Sequence, residues 1–231
     1  MRKGFFITFE GTECSGKSTQ IKILSEKIKS EGFDVICLRE PGGTPIGEEI
    51  RHILKHSING FAMVPETELL LMNASRAQIV REIIRPALAE GKIVLCDRFY
   101  DSTIAYQGFG RGLNLEDVLK IIDFAVGNTI PDLTILLDIP IEIIYQRQKL
   151  RNSELNSAST LHNNNQNLRI RDRFEEADLE FFKRVHEGFE FISNREPQRI
   201  KKVDATREIE PIASQIWEIV GPLIQKIKTN R

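Results

Sequence analysis

At 231 residues, with 41% apolar and 28% charged side chains, the chain has the composition of a globular domain; it is long enough to bury one good core and too short for two ordinary ones. Its 33 acids and 32 Lys and Arg nearly cancel, for a formal net charge of -1, which excludes a global pull toward nucleic acid or an anionic membrane and requires any anion site to be local. Three widely separated cysteines, Cys14, Cys37 and Cys96, exclude a disulfide framework and a cysteine zinc site and predict a reducing cytoplasm; neither a secretion signal nor an eighteen-residue apolar span is expected.

The chain opens on an apolar run, "FFITF" at 5–9, followed by the small-residue stretch "GTECSGKST" at 11–19 and then the helical "QIKILSEKIKSEG". Further strand-like runs follow at 34–38, 93–97, 133–138 and 199–204, alternating with helical patterns. The first, third and fourth are almost continuously apolar, as strands covered by helices on both faces must be, and the alternation predicts a parallel α/β sheet. Pro65 stands where a helix-opening proline belongs, before a long helix that Pro86 should kink or end. Asn114, with Asp117 three residues on, reads as a helix cap. Residues 152–167 are Asn-rich and nearly free of large apolar groups, so they predict a mobile loop. From 177 to 192, Leu179, Phe182, Val185, Phe189 and Ile192 recur at helical spacing as a core stripe.

Residues 11–18 match G-x-x-x-x-G-K-[ST], and the match lies between a strand and a helix. A nucleoside triphosphate presents several anionic oxygens, and a tightly curled loop answers them with inward-facing backbone N–H groups. Gly11, Thr12, Glu13, Cys14, Ser15, Gly16, Lys17, Ser18 and Thr19 are the expected ATP-binding residues. Within them Lys17 reaches the β- and γ-phosphates, the Ser18 hydroxyl ligates Mg²⁺, and the following helix adds the positive end of its dipole. A GTPase switch is excluded, since neither N-K-x-D nor D-x-x-G follows. Strand 93–97 delivers Asp97 to the carboxyl end of the sheet with Arg98 directly after it, an acid for Mg²⁺-linked water beside a guanidinium for phosphate.

"FEGTECSGKST", "REPGGT" (39–44), "NASRAQ" (73–78), "DRFYDSTIAYQG" (97–108), "PDLTILLD" (131–138) and "DRFEE" (172–176), in that order, resemble the bacterial thymidylate kinases over nearly the whole chain. The resemblance implies a three-layer P-loop kinase fold on a five-stranded parallel sheet. It implies one kinase domain over 1–231 with a lid at about 147–173, a homodimer, and Mg²⁺-dependent transfer of the ATP γ-phosphoryl group to dTMP. Carried over by position, Glu13 meets the sugar 3'-hydroxyl and the metal surroundings, Arg51 and Arg98 grip the 5'-phosphate, and Arg76 donates to thymine O4. Thr103 and Gln107 address the pyrimidine edge, and Tyr106 crowds the 2' position. In relatives whose phosphate loop lacks a basic residue, as "TECS" does, the lid supplies catalytic arginines; Arg151 and Arg173 are the candidates here. Two positions depart from the family pattern: Met72 stands where a phenylalanine usually stacks on the base, and Cys14 where glycine is common. Kinases of another (deoxy)nucleoside monophosphate or of a deoxynucleoside, and a nucleotide-binding regulator without turnover, remain open alternatives.

Overall fold

The computed structural model describes residues 4–55, 63–147, 149–150 and 179–229. Five strands, β1 (Phe5–Glu10), β2 (Val35–Arg39), β3 (Ile93–Asp97), β4 (Leu133–Asp138) and β5 (Ile200–Asp204), form one parallel sheet in the order β2-β3-β1-β4-β5. The near-continuous apolar strands divide their side chains between two cores by simple alternation. Phe6, Val94, Cys96 and Leu136 face one side, and Ile7, Phe9, Ile93, Leu95, Ile135 and Leu137 face the other, all nearly inaccessible.

Helices α1 (Lys17–Ser30) and α9 (Ile209–Thr229), with a short helix α7 over 141–147, cover the Ile7 side. The other side is covered by α3 (Pro65–Ile79), α6 (Leu115–Val126) and α8 (Leu179–Arg195). Two shorter helices flank the site, α2 (Pro45–Lys55) and α5 (Tyr100–Thr103). The result is the expected three-layer α/β architecture. The chain leaves β1 toward one face of the sheet and leaves β3 toward the other, so a crevice opens between their carboxyl ends, the place where open α/β sheets bind ligands. Strand register brings Phe9, Asp97 and Arg39 abreast at that edge.

Three expectations are corrected. Pro86 does not end its helix: α3 passes through a widened turn, Val80–Ile84, and continues as α4 (Arg85–Ala89). The Arg85 N–H donates to Val80 O, five residues back, and this wider turn makes room for a proline ring that would strike the carbonyl four residues before it. Leu179 is exposed at the start of α8, while Phe181 joins Phe182, Val185, Phe189 and Ile192 in the core. Arg199 precedes β5 and turns inward: its guanidinium binds both Asp101 oxygens at 2.7 and 2.8 Å and the Thr134 hydroxyl at 2.7 Å. The Asn114 cap is present, its Oδ1 accepting from the N–H of Glu116 and Asp117 at 2.9 and 3.3 Å.

Candidate active site

The loop between β1 and α1 curls as its glycines require. Gly11 has φ +131° and a Cβ there would lie 2.5 Å from Leu137 O, so only glycine fits; Gly16, at φ +93°, opens α1. Lys17 folds back over this loop, donating to Thr12 O at 2.7 Å and Gly11 O at 3.1 Å. Burial, aided by the nearby Arg98 charge, lowers its ammonium pKa to about 8. Ser18, on the first turn of α1, donates its hydroxyl to Asp97 Oδ2 at 2.7 Å. A hydroxyl and a carboxylate brought together from two elements form an all-oxygen pair that suits Mg²⁺. Of the other loop residues, Thr12 and Ser15 are buried and Thr19 is exposed on α1.

Arg98 follows β3 in a left-handed conformation, φ +69°. Such a backbone costs a non-glycine residue of order 1–2 kcal/mol, and hydrogen bonds hold it on every side. Arg98 N–H donates to Phe9 O at 2.9 Å, and the next N–H, of Phe99, donates to the buried Glu10 carboxylate at 2.7 Å. The guanidinium reaches Gly11 O (2.9 Å), Ser102 Oγ (3.0 Å), Glu13 Oε1 (2.8 Å) and Tyr106 OH (3.2 Å). Tyr106 in turn donates to Glu13 Oε2 at 2.7 Å, its phenol kept protonated by burial. Burial and the charge of Asp101 raise Glu10 to about 7.

Helix α5 runs into a second widened segment, Ile104–Gly110, where Arg111 N–H reaches Tyr106 O across five residues. Thr103, Tyr106 and Gln107 thereby share one cavity with residues from α3. From α3, Arg76 is 2% exposed and donates to Glu40 Oε2 (2.8 Å), Asn73 Oδ1 (3.0 Å), Thr103 Oγ1 (2.8 Å) and Phe99 O (3.1 Å). Four of its five N–H groups are thus engaged, and one on the outer nitrogen remains. Burial raises Glu40 to about 7 against the pull of Arg76.

The cavity, of about 320 Å³, is lined by Glu13, Cys14, Lys17, Ser18, Arg51, Met72, Arg76, Asp97, Arg98, Thr103, Tyr106 and Gln107, all of them candidates from the sequence. It also takes in Arg39, Glu40, Lys55 and Ser102, which sequence reading missed. Six cationic side chains against three acids make it the local anion site that the neutral composition requires. Arg51 donates to Pro41 O at 2.8 Å, and Met72 is half-buried at the wall. Glu10, Glu68 and Ser102, which brace the site from beneath, sent no signal beyond their place beside motif residues. The lid arginines Arg151 and Arg173 lie outside the described residues. Arg147, at the start of the expected lid and within the described residues, donates to Cys14 O at 3.2 Å and to Ala205 O at 2.9 Å.

Comparison with known proteins agrees with this architecture. Residues 9–216 match the family described as Thymidylate kinase. The thymidylate kinase of Geobacter sulfurreducens is 46% identical, over 94% of this chain and 96% of its own. That of Kosmotoga olearia is 42% identical over 91% and 92% respectively. A crystal structure of thymidylate kinase from Ehrlichia chaffeensis superposes with a TM-score of 0.71 at 31% identity, covering 94% of this chain and 98% of that one. The chain belongs to the thymidylate kinase family.

Proposed function

We propose that the chain transfers the γ-phosphoryl group of ATP to dTMP, giving dTDP and ADP. The observation that carries this is a single cavity lined both by the phosphate-loop group, Lys17, Ser18, Asp97 and Arg98, and by a set suited to a pyrimidine, Met72, Arg76, Thr103 and Gln107. Donor and acceptor phosphates repel each other, so aligning them needs cations between them. Lys17 meets the β- and γ-phosphates once it leaves the loop carbonyls, and Arg98 and Arg51 hold the acceptor phosphate. Glu13, held by Arg98 and Tyr106, faces the sugar, and Tyr106 fills the space a 2'-hydroxyl would need. Mg²⁺ would be held by Ser18 and, through water, by Asp97, and would neutralise charge on the phosphate oxygens. Arg151 and Arg173 are the proposed transition-state cations of a lid at about 147–173 in one kinase domain.

We place the reaction in the cytoplasm, on the cysteine usage. A homodimer is supported by exposed apolar side chains on adjoining helices, Leu70 on α3 and Leu119 and Phe124 on α6, with Phe124 84% exposed. Met72, in place of the usual aromatic, favours a looser grip on the base and keeps neighbouring acceptors in view; sulfur-to-ring contact still contributes about 0.3–1.5 kcal/mol. The test is ADP production from Mg-ATP with dTMP, dUMP, dCMP, dGMP, UMP, AMP and thymidine. Preference for dTMP is expected. Preference for another acceptor would overturn the base assignment, and ATP binding without ADP release would favour a regulator.

A further inference from the structure

Glu68 of α3 is fully buried and does not itself line the cavity. Its carboxylate is pinned by Arg111, whose Nε and outer nitrogen donate at 3.1 and 3.0 Å, and it accepts from Gln107 Nε2 at 2.8 Å. A carboxylate whose two oxygens both take the Arg111 guanidinium serves as an acceptor, so this contact determines which way the Gln107 amide lies: its NH₂ faces Glu68. Gln107 is itself 1% exposed and lines the cavity, and its Oε1 accepts no hydrogen bond from any described residue. Across the same cavity wall, Arg76 keeps one N–H beyond the four already engaged.

We infer that Glu68 is a specificity-determining positioning residue, which locks the Gln107 amide so that the cavity shows a base one acceptor, Gln107 Oε1, beside one donor, Arg76. The inference rests on the proposed dTMP kinase reading. Thymine offers the complement along its edge, an N3–H donor beside the O4 acceptor. Cytosine inverts both, with an unprotonated N3 beside an exocyclic NH₂. A pyrimidine of the wrong polarity meets acceptor against acceptor and donor against donor in a site where water cannot relieve either clash. Selectivity of this kind needs the amide fixed, because a free glutamine would turn over and relieve the clash at N3, leaving only the Arg76 contact to discriminate. Arg111, lying over the Phe181 ring at 4.6 Å, grips both Glu68 oxygens and holds the carboxylate in place, which makes the lock one-way.

The experiment compares kcat/KM for dTMP with that for 5-methyl-dCMP, which carries the same methyl group and differs at positions 3 and 4 of the ring. Wild-type enzyme is expected to prefer dTMP by about 10³-fold or more. In Glu68→Gln the new amide can donate to Gln107 Oε1, so the Gln107 amide can invert, and the preference narrows by at least about tenfold while KM for ATP holds. A folded Glu68→Gln enzyme with undiminished preference overturns the inference. If that variant does not fold, Gln107→Met, which removes the amide altogether, must narrow the preference to the same degree, and full discrimination by it overturns the inference equally. Wild-type enzyme inactive toward both acceptors overturns the kinase reading itself, a failure separable from the first.

Discussion

The proposed contact of Lys17 with the nucleotide phosphates predicts that nucleotide binding depends on pH. Burial and Arg98 lower the Lys17 pKa to about 8, against an ordinary value of 10.5. Triphosphate oxygens favour the ammonium form, so binding raises this pKa again and takes up a proton wherever the free lysine is neutral. The sign follows: ATP affinity is fully present below pH 8 and falls as pH rises through and beyond 8, by up to about tenfold per pH unit until the bound-state pKa is reached. Calorimetry at pH 8.5 in buffers of different ionisation enthalpy should show proton uptake; affinity independent of pH from 7 to 9.5 would remove Lys17 from the phosphate contact. At this scale the sequence was legible where one residue type does one job. Lys17, Ser18, Asp97 and Arg98 follow from a loop motif and a strand end. Cys14 was legible only as a departure from a common glycine, and its φ of +58° supplies the reason, since the loop needs a left-handed backbone there. Glu68 was illegible because its effect passes through Gln107, 39 residues away.

Among the elements, the segment before β5 does more than its sequence announces. Residues 199–204 read as a strand, and Arg199, whose carbonyl still accepts from Thr134 N–H at 2.9 Å, sends its side chain to grip Asp101 at the start of α5, with the Thr134 hydroxyl and then Thr8 behind it, 2.7 Å apart. Arg199 is 9% and Asp101 1% exposed, so the pair ties β5 to the segment that carries Arg98, Thr103 and Gln107. Removing one partner leaves a buried charge unpaired: Arg199→Ala should cost about 3–5 kcal/mol, read from the urea midpoint. A loss under about 1 kcal/mol would show that water reaches Asp101 and that the pair lies effectively at the surface. The two widened helical turns were equally hidden. Pro86 signalled an interruption but not its form, because whether a helix breaks or takes in an extra residue depends on packing against the sheet, which local sequence does not encode. Nothing in "IAYQGFG" marks the second such turn, yet it helps bring Tyr106 and Gln107 to one wall.

For the whole molecule, architecture was the most legible property. Apolar runs of five or six residues separated by helical patterns leave few options besides a parallel sheet covered on both faces, and the order β2-β3-β1-β4-β5 puts the phosphate loop and Asp97 at one crevice. That geometry gives the central claim its content: a nucleotide phosphate and a pyrimidine monophosphate share one cavity, so the phosphoryl group passes between them directly. The decisive measurement is the fate of label from ATP carrying ³²P at the γ-position, incubated with Mg²⁺ and dTMP. Direct transfer predicts label in the β-phosphate of dTDP, matched one for one by ADP and with none on the protein. Label retained on the protein before dTMP is added, or released as inorganic phosphate without labelled dTDP, would contradict it.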